Sequence, residues 1–209
     1  MIVNKKMKDK RKMEVYKASL ISYIMPLIAS LFALFMPVAN QTFTYIIIMI
    51  FIFSIIIYPI ALIVFEKKKR PNAARFIMTF NMLMFCFFFI VPLIKVAIGH
   101  LLLQLCLVLF YFLCIMLAVF DQKKETPIVA PPNDGDRKMS YVFIAIPVVA
   151  MFLGGGGNII IVRQMHNVLG DPFMFAWGPI LLYVVGCWAT FLFSSLFYQG
   201  FTKNGMWIK

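Results

Sequence analysis

The sequence predicts an all-α membrane protein, a bundle of six transmembrane helices arranged as three helical hairpins with both ends in the cytoplasm. Three observations predict it. The 209 residues are 63% hydrophobic and only 13% charged, whereas a soluble domain carries about 25% charged residues. Apolar runs of 20 residues or more recur along the whole length, each enough for a helix to cross a hydrocarbon core of about 30 Å. And 18 of the 20 Lys and Arg residues fall before the first run, in alternate connections or after the last run. At a mean hydropathy of +0.91 the chain has too little polar surface to cover itself in water, so lipid is the solvent for most of it.

A basic segment, residues 1–17, opens the chain with Lys5, Lys6, Lys8, Lys10, Arg11, Lys12 and Lys17. The first apolar run, 18–39, is too long for the cleaved core of a signal peptide, which spans about 7–15 residues. It reads as an uncleaved span. Residues 43–65 form the second run, 76–98 the third and 101–120 the fourth, so that 18–120 holds four spans. A Pro-rich linker, 121–140, carries Pro127, Pro131, Pro132 and Gly135 and reads as irregular. Runs 141–162 and 173–198 complete the set within 141–198, and 199–209 is a short tail. Helices are required, because open strands would leave backbone groups unpaired in lipid. The positive-inside rule then places the basic connections, and with them both termini, in the cytoplasm of a bacterial plasma membrane.

Kinks are expected at Pro26, Pro59, Pro92, Pro147 and Pro179, since each removes a backbone donor and crowds the preceding turn. Small residues mark packing faces: Ala29 with Ala33 in the first run, and Gly186, Thr190 and Ser194 at four-residue spacing in the last. These are the positions at which backbones can approach.

Polar groups inside the spans are where function would show. Lys95 is the only charge within a predicted span. Twenty residues beyond Arg75, it lies about 30 Å up the helix and near the outer surface. There it is expected to snorkel as an interfacial anchor beside His100, or else to serve as a gate or substrate contact. Asn81 sits about 9 Å into the third span, and Gln104 just inside the outer end of the fourth. Either can bond a neighbouring helix or line a transport path. The run Gly154, Gly155, Gly156, Gly157 and Asn158 in the fifth span costs its helix about 1 kcal/mol per glycine relative to alanine. Close helix packing, a local break lining a cavity and a re-entrant turn are the three compensations open to it.

The net charge of +12 points to anionic lipid headgroups on the cytoplasmic side and not to nucleic acid, because the cations form short clusters between apolar runs. No cofactor is expected. Cys86, Cys106, Cys114 and Cys187 lie in apolar runs without metal-ligand spacing. No Lys-Ser or Lys-Thr follows the glycine run, and neither HExxH nor Gly-x-Ser-x-Gly occurs. The expectation is therefore a protein that is not an enzyme.

Six spans in about 200 residues resemble the permease subunit of ABC-2-type exporters in size and topology, which implies a cytoplasmic element that meets an ATPase. The Ile-, Lys-, Phe-, Met- and Asn-rich usage, as in KASLISYIMPLIASLFALFMPVANQTFTYIIIMIFIF, looks like an AT-rich Gram-positive genome. In that usage the chain is similar to the small multi-pass membrane proteins encoded near type VII secretion loci. That resemblance implies an accessory, scaffold or toxin-immunity role, with another membrane protein or a second copy of the chain as partner. Between the two, the lack of a charged cluster at mid-membrane favours the accessory role.

Overall fold

A computed structural model of the chain describes residues 21–36, 40–67, 73–125, 127–129, 137–153, 163–164, 167–168 and 170–201. These form the helices α1 (Ile24–Phe35), α2 (Gln41–Lys67), α3 (Ala73–Val96), α4 (Leu101–Asp121), α5 (Arg137–Leu153) and α6 (Asp171–Phe201). No strand occurs among the described residues.

Three helices are long and apolar enough to cross a membrane: Phe76–Val96 of α3, Leu101–Asp121 of α4 and Phe175–Gln199 of α6. The chain is on that ground a membrane-embedded protein. The sequence predicts six such spans; within the described residues the apolar parts of the other three, Ile24–Phe35, Gln41–Ile57 and Tyr141–Ala150, are shorter. For α1 the reason is proline. Pro26 has no N–H to give to the preceding turn, and the chain turns at Ser22 and Tyr23 before α1 begins. Pro37 follows its other end. Helix α5 is described as far as Leu153, and Gly154 to Asn158 fall outside the described residues.

Local chemistry sets the remaining ends. The Asn40 side chain accepts a hydrogen bond from the Phe43 N–H at 3.2 Å, capping the start of α2. Between α3 and α4 the chain reverses through Gly99, whose φ of +95° suits a residue without a Cβ.

The helices alternate in direction. Tyr23 donates to the Ser54 carbonyl at 3.3 Å, which sets α1 antiparallel to α2. Asn81 reaches Ser22 and Lys95 reaches Ala33, so α1 and α3 run parallel. Phe76 stacks on Phe197 at 5.3 Å, while Gly186 meets Cys86 and Phe89, making α3 and α6 antiparallel. Trp188 donates to the Phe143 carbonyl at 2.8 Å and Trp177 to that of Leu153 at 3.2 Å, so α5 and α6 are antiparallel too. One end of the bundle therefore carries Lys95 and His100, the other Asp121 and Gln199.

Packing is centred on α3 and α6, which make the most extensive contact in the molecule; α1 and α2 lie on α3, and α4 and α5 on α6. Sequence-adjacent helices pair, but they are not the main contacts of the bundle. The α3–α4 hairpin makes one of the slighter contacts. The reason is the small-residue face of α6. A Cβ on Gly186 would sit 3.1 Å from Phe89 Cβ and 3.2 Å from the Cys86 carbonyl oxygen, so glycine is what lets the two backbones close up. Ala29 and Ala33 do the same on α1, buried against Phe88, Val91 and Ile47. A second apolar cluster joins Ile90 of α3, Tyr111 of α4, and Tyr183 and Cys187 of α6. Around this core, large apolar side chains such as Leu109, Met116, Leu117 and Phe152 face outward, as they would toward lipid.

Candidate functional site

At the Lys95 end, two side chains complete two helix termini. The last carbonyls of any helix lack intrahelical donors. In α1 the Met36 N–H takes the Phe32 carbonyl at 2.9 Å. The next acceptor, Ala33, would need an N–H at position 37, and Pro37 has none. Lys95 supplies the missing donors: its Nζ donates to the Ala33 and Leu34 carbonyls at 2.9 Å each. The ammonium also meets the negative end of the α1 dipole.

This corrects the expectation of a snorkelling anchor. Lys95 does lie in the last turn of α3, but it is 4% exposed and turns inward to α1. A terminus with orphaned carbonyls is a better partner than the interface, because it offers a cation fixed acceptors and partial negative charge together. His100, by contrast, is exposed.

Gln104 plays the corresponding part for α3. The last turn of α3 tightens, with Ile98 N–H donating to the Lys95 carbonyl at 3.1 Å, three residues back instead of four. The Ile94 carbonyl is thereby passed over. Gln104 Nε2 donates to it at 3.1 Å, so a residue of α4 closes the end of α3.

Asn81 stands apart from both. It is wholly buried, and its Nδ2 donates to Ser22 Oγ at 2.6 Å, in the turn forced ahead of α1. Its Oδ1 has no hydrogen-bond partner among the described residues. The structure thus joins Lys95 and Gln104 at one end and leaves Asn81 deeper. Gly154, Gly155, Gly156, Gly157 and Asn158 lie outside the described residues.

At the opposite end is a polar latch that the sequence reading missed. Asp121, read as the first linker residue, is the last residue of α4 and 2% exposed. Its Oδ2 accepts the Ile128 N–H at 2.9 Å and the Val129 N–H at 3.5 Å. Lys124 Nζ lies 3.7 Å from Oδ1. Gln122 and Gln199 both donate to the Val129 carbonyl, at 2.9 and 2.8 Å, and Gln199 also donates to Gln122 Oε1 at 2.7 Å. The start of the linker is folded back and tied to α4 and α6. A carboxylate directly after an apolar helix, followed by glutamine, was the one available signal; which backbone it binds is a tertiary fact.

Another polar contact of this kind is made by Tyr183, whose hydroxyl donates to the Leu107 carbonyl at 2.7 Å, tying α6 to α4. The four cysteines are free thiols, with Cys86 and Cys187 buried. Among the described residues no group of three or more His, Cys, Asp or Glu side chains is placed to hold a metal ion. What this arrangement does chemically is join helix to helix. Set against known protein families, characterised proteins and solved structures, the chain matches none of them.

Proposed function

We propose that the chain is a non-catalytic six-span protein of the bacterial plasma membrane, with both termini cytoplasmic, serving as an accessory, scaffold or toxin-immunity component of a secretion system. The observation that carries this reading is that four interior polar side chains are engaged in contacts between helices. Lys95, Gln104, Asn81 and Tyr183 each bond across a helix pair, and a substrate path needs polar groups held toward a cavity instead. The alternating helix directions are what a multi-pass chain with all six helices crossing requires.

Solvent access to the interior tests it. In a chain whose native cysteines are replaced, cysteines introduced at the buried Asn81 and Thr190 are expected to stay inert to a membrane-impermeant maleimide applied from either side. Reaction at either of them would reveal a water path and favour transport. A gain-of-function assay tests the role itself: expression in a strain sensitive to a toxin of the neighbouring secretion cluster should protect it.

A second reading, the permease subunit of an ABC-2-like exporter, is favoured by the latch around Asp121. A linker segment fixed to the ends of α4 and α6 is the kind of rigid cytoplasmic surface through which an ATPase could drive helices. It predicts that the reconstituted chain stimulates ATP hydrolysis by an ATPase encoded beside it, and that the Gln199→Leu chain does not.

A further inference from the structure

Between α3, α4 and α6 lies a partly open cavity of about 530 Å³, lined by residues including Phe80, Leu83, Ile115, Ser194 and Phe197. Its size falls within the range of about 300–1,000 Å³ typical of small-molecule sites. Its wall is almost wholly hydrocarbon, and an apolar cavity does not hold water. Its depth is given three times over. At about 1.5 Å per residue, the α4 wall from Tyr111 to Val119 lies about 3–15 Å from Asp121, and Ser194 to Tyr198 on α6 lie about 5–11 Å from the end of that helix. Phe80 to Phe87 lie about 11–21 Å from the start of α3. The cavity therefore occupies the half of the bundle nearest the Asp121 end.

Just beyond it stand two cations. Lys123 follows Val119 by one helical turn's worth of residues and rests over the Phe120 ring at 5.5 Å. Lys124 is 63% exposed even while paired with Asp121. A partly open apolar slot among the helices, with exposed ammonium groups beyond its Asp121 end, is complementary to a phospholipid: a tail for the slot and a phosphate for the cations.

We propose that this cavity binds one acyl chain of an anionic glycerophospholipid from the leaflet at the Asp121 end, with Lys123 and Lys124 attracting its headgroup. The proposal rests on the membrane-embedded reading and goes beyond it by naming a site and a lipid class.

The test is photolabelling of the intact protein in vesicles of phosphatidylethanolamine and phosphatidylglycerol, doped with phosphatidylglycerol bearing a diazirine in its acyl chain. Label should concentrate on Phe80, Leu83, Ile115 and Phe197 over the outward-facing Leu109, Met116 and Leu117. A phosphatidylcholine probe with the same tail should label the cavity less. Changing Lys123→Gln and Lys124→Gln should reduce the anionic preference by about fivefold for each lysine, from about 1 kcal/mol per cation at an anionic surface. Label spread evenly over outward-facing residues would overturn the cavity, and equal labelling by both headgroups would overturn the anionic assignment. A chain that does not enter the vesicles at all would overturn the membrane reading itself, and the site with it.

Discussion

Lys95 shows how a single residue can be misjudged by depth alone. Its distance along α3 places it near the end of the span, and from there water and the terminus of α1 are both within reach of a four-carbon stem. The terminus wins because Pro37 leaves the Ala33 carbonyl without a helical donor. That signal stood in the sequence, but pairing it with Lys95 requires knowing that α1 and α3 run side by side. Lys95→Met should therefore destabilise the detergent-solubilised protein by about 1–3 kcal/mol, the cost of orphaned buried acceptors. Lys95→Gln, which keeps a donor of shorter reach, should fall between. Denaturant unfolding followed by near-ultraviolet circular dichroism measures this, and a Lys95→Met effect within about 0.5 kcal/mol, the size of an ordinary surface change, would show the bonds to be idle. Asn81→Leu should cost less, about 0.6 kcal/mol, because a polar contact between membrane helices is worth roughly that, and its partner Ser22 keeps a hydroxyl able to turn to its own backbone.

At the scale of elements, the helices themselves were legible and their partners were not. Apolar length finds α3, α4 and α6 within a few residues, because lipid imposes length directly. It does not find which helix sits beside which, since a span apolar all round has no face that names its neighbour. The exceptions are instructive: Ala29 with Ala33 and Gly186 with Thr190 are spaced to lie on one face, and those faces are the ones that pack. Gly186→Val should wedge α3 from α6, because even a Cβ there meets Phe89 and a backbone carbonyl within 3.2 Å; a loss of about 1–3 kcal/mol is expected from such overpacking. Gly178→Ala is the matched control. Its Cβ would meet only Met36 Cε at 3.9 Å, so the better helix propensity should leave stability equal or up to about 1 kcal/mol higher. Equal destabilisation by both would mean that close approach at Gly186 is not what holds α3 to α6. At the far end of α6 the latch makes a separate prediction. Gln199→Leu removes donors to Val129 and Gln122, so trypsin should cut after Lys123 and Lys124 several times faster while the thermal midpoint barely moves. Unchanged cleavage would mean that Asp121 and Gln122 hold the linker without Gln199.

For the whole molecule the question is how many times the chain crosses. Three helices meet the length and apolarity for a crossing and the apolar stretches of the other three are shorter among the described residues, yet the sequence-adjacent pairs α1–α2 and α5–α6, whose contacts fix a direction, are antiparallel. Alternation is what continuous crossing demands, and short helices that merely lay on the surface would have no reason to keep it. The shorter ones also contribute buried polar bonds to the bundle interior, as α1 does through its terminus, and a segment resting at the interface would not. The proposed orientation rests on the charge bias: cations gather at the segments before the first helix, between α2 and α3, and after α4, and the positive-inside rule favours such segments on the cytoplasmic side. The two lines meet in one measurement. In intact cells, with native cysteines replaced, His100→Cys should react with an impermeant maleimide added outside, and Lys124→Cys should react only after the cells are opened. The reverse pattern would invert the orientation and move the lipid site to the outer leaflet. A cysteine in place of Asn40, at the start of α2, then tests the six-span topology: reaction from the same side as His100→Cys is expected, as two crossings between the positions require, whereas reaction from the opposite side would leave an odd number of crossings between them and remove the six-span topology.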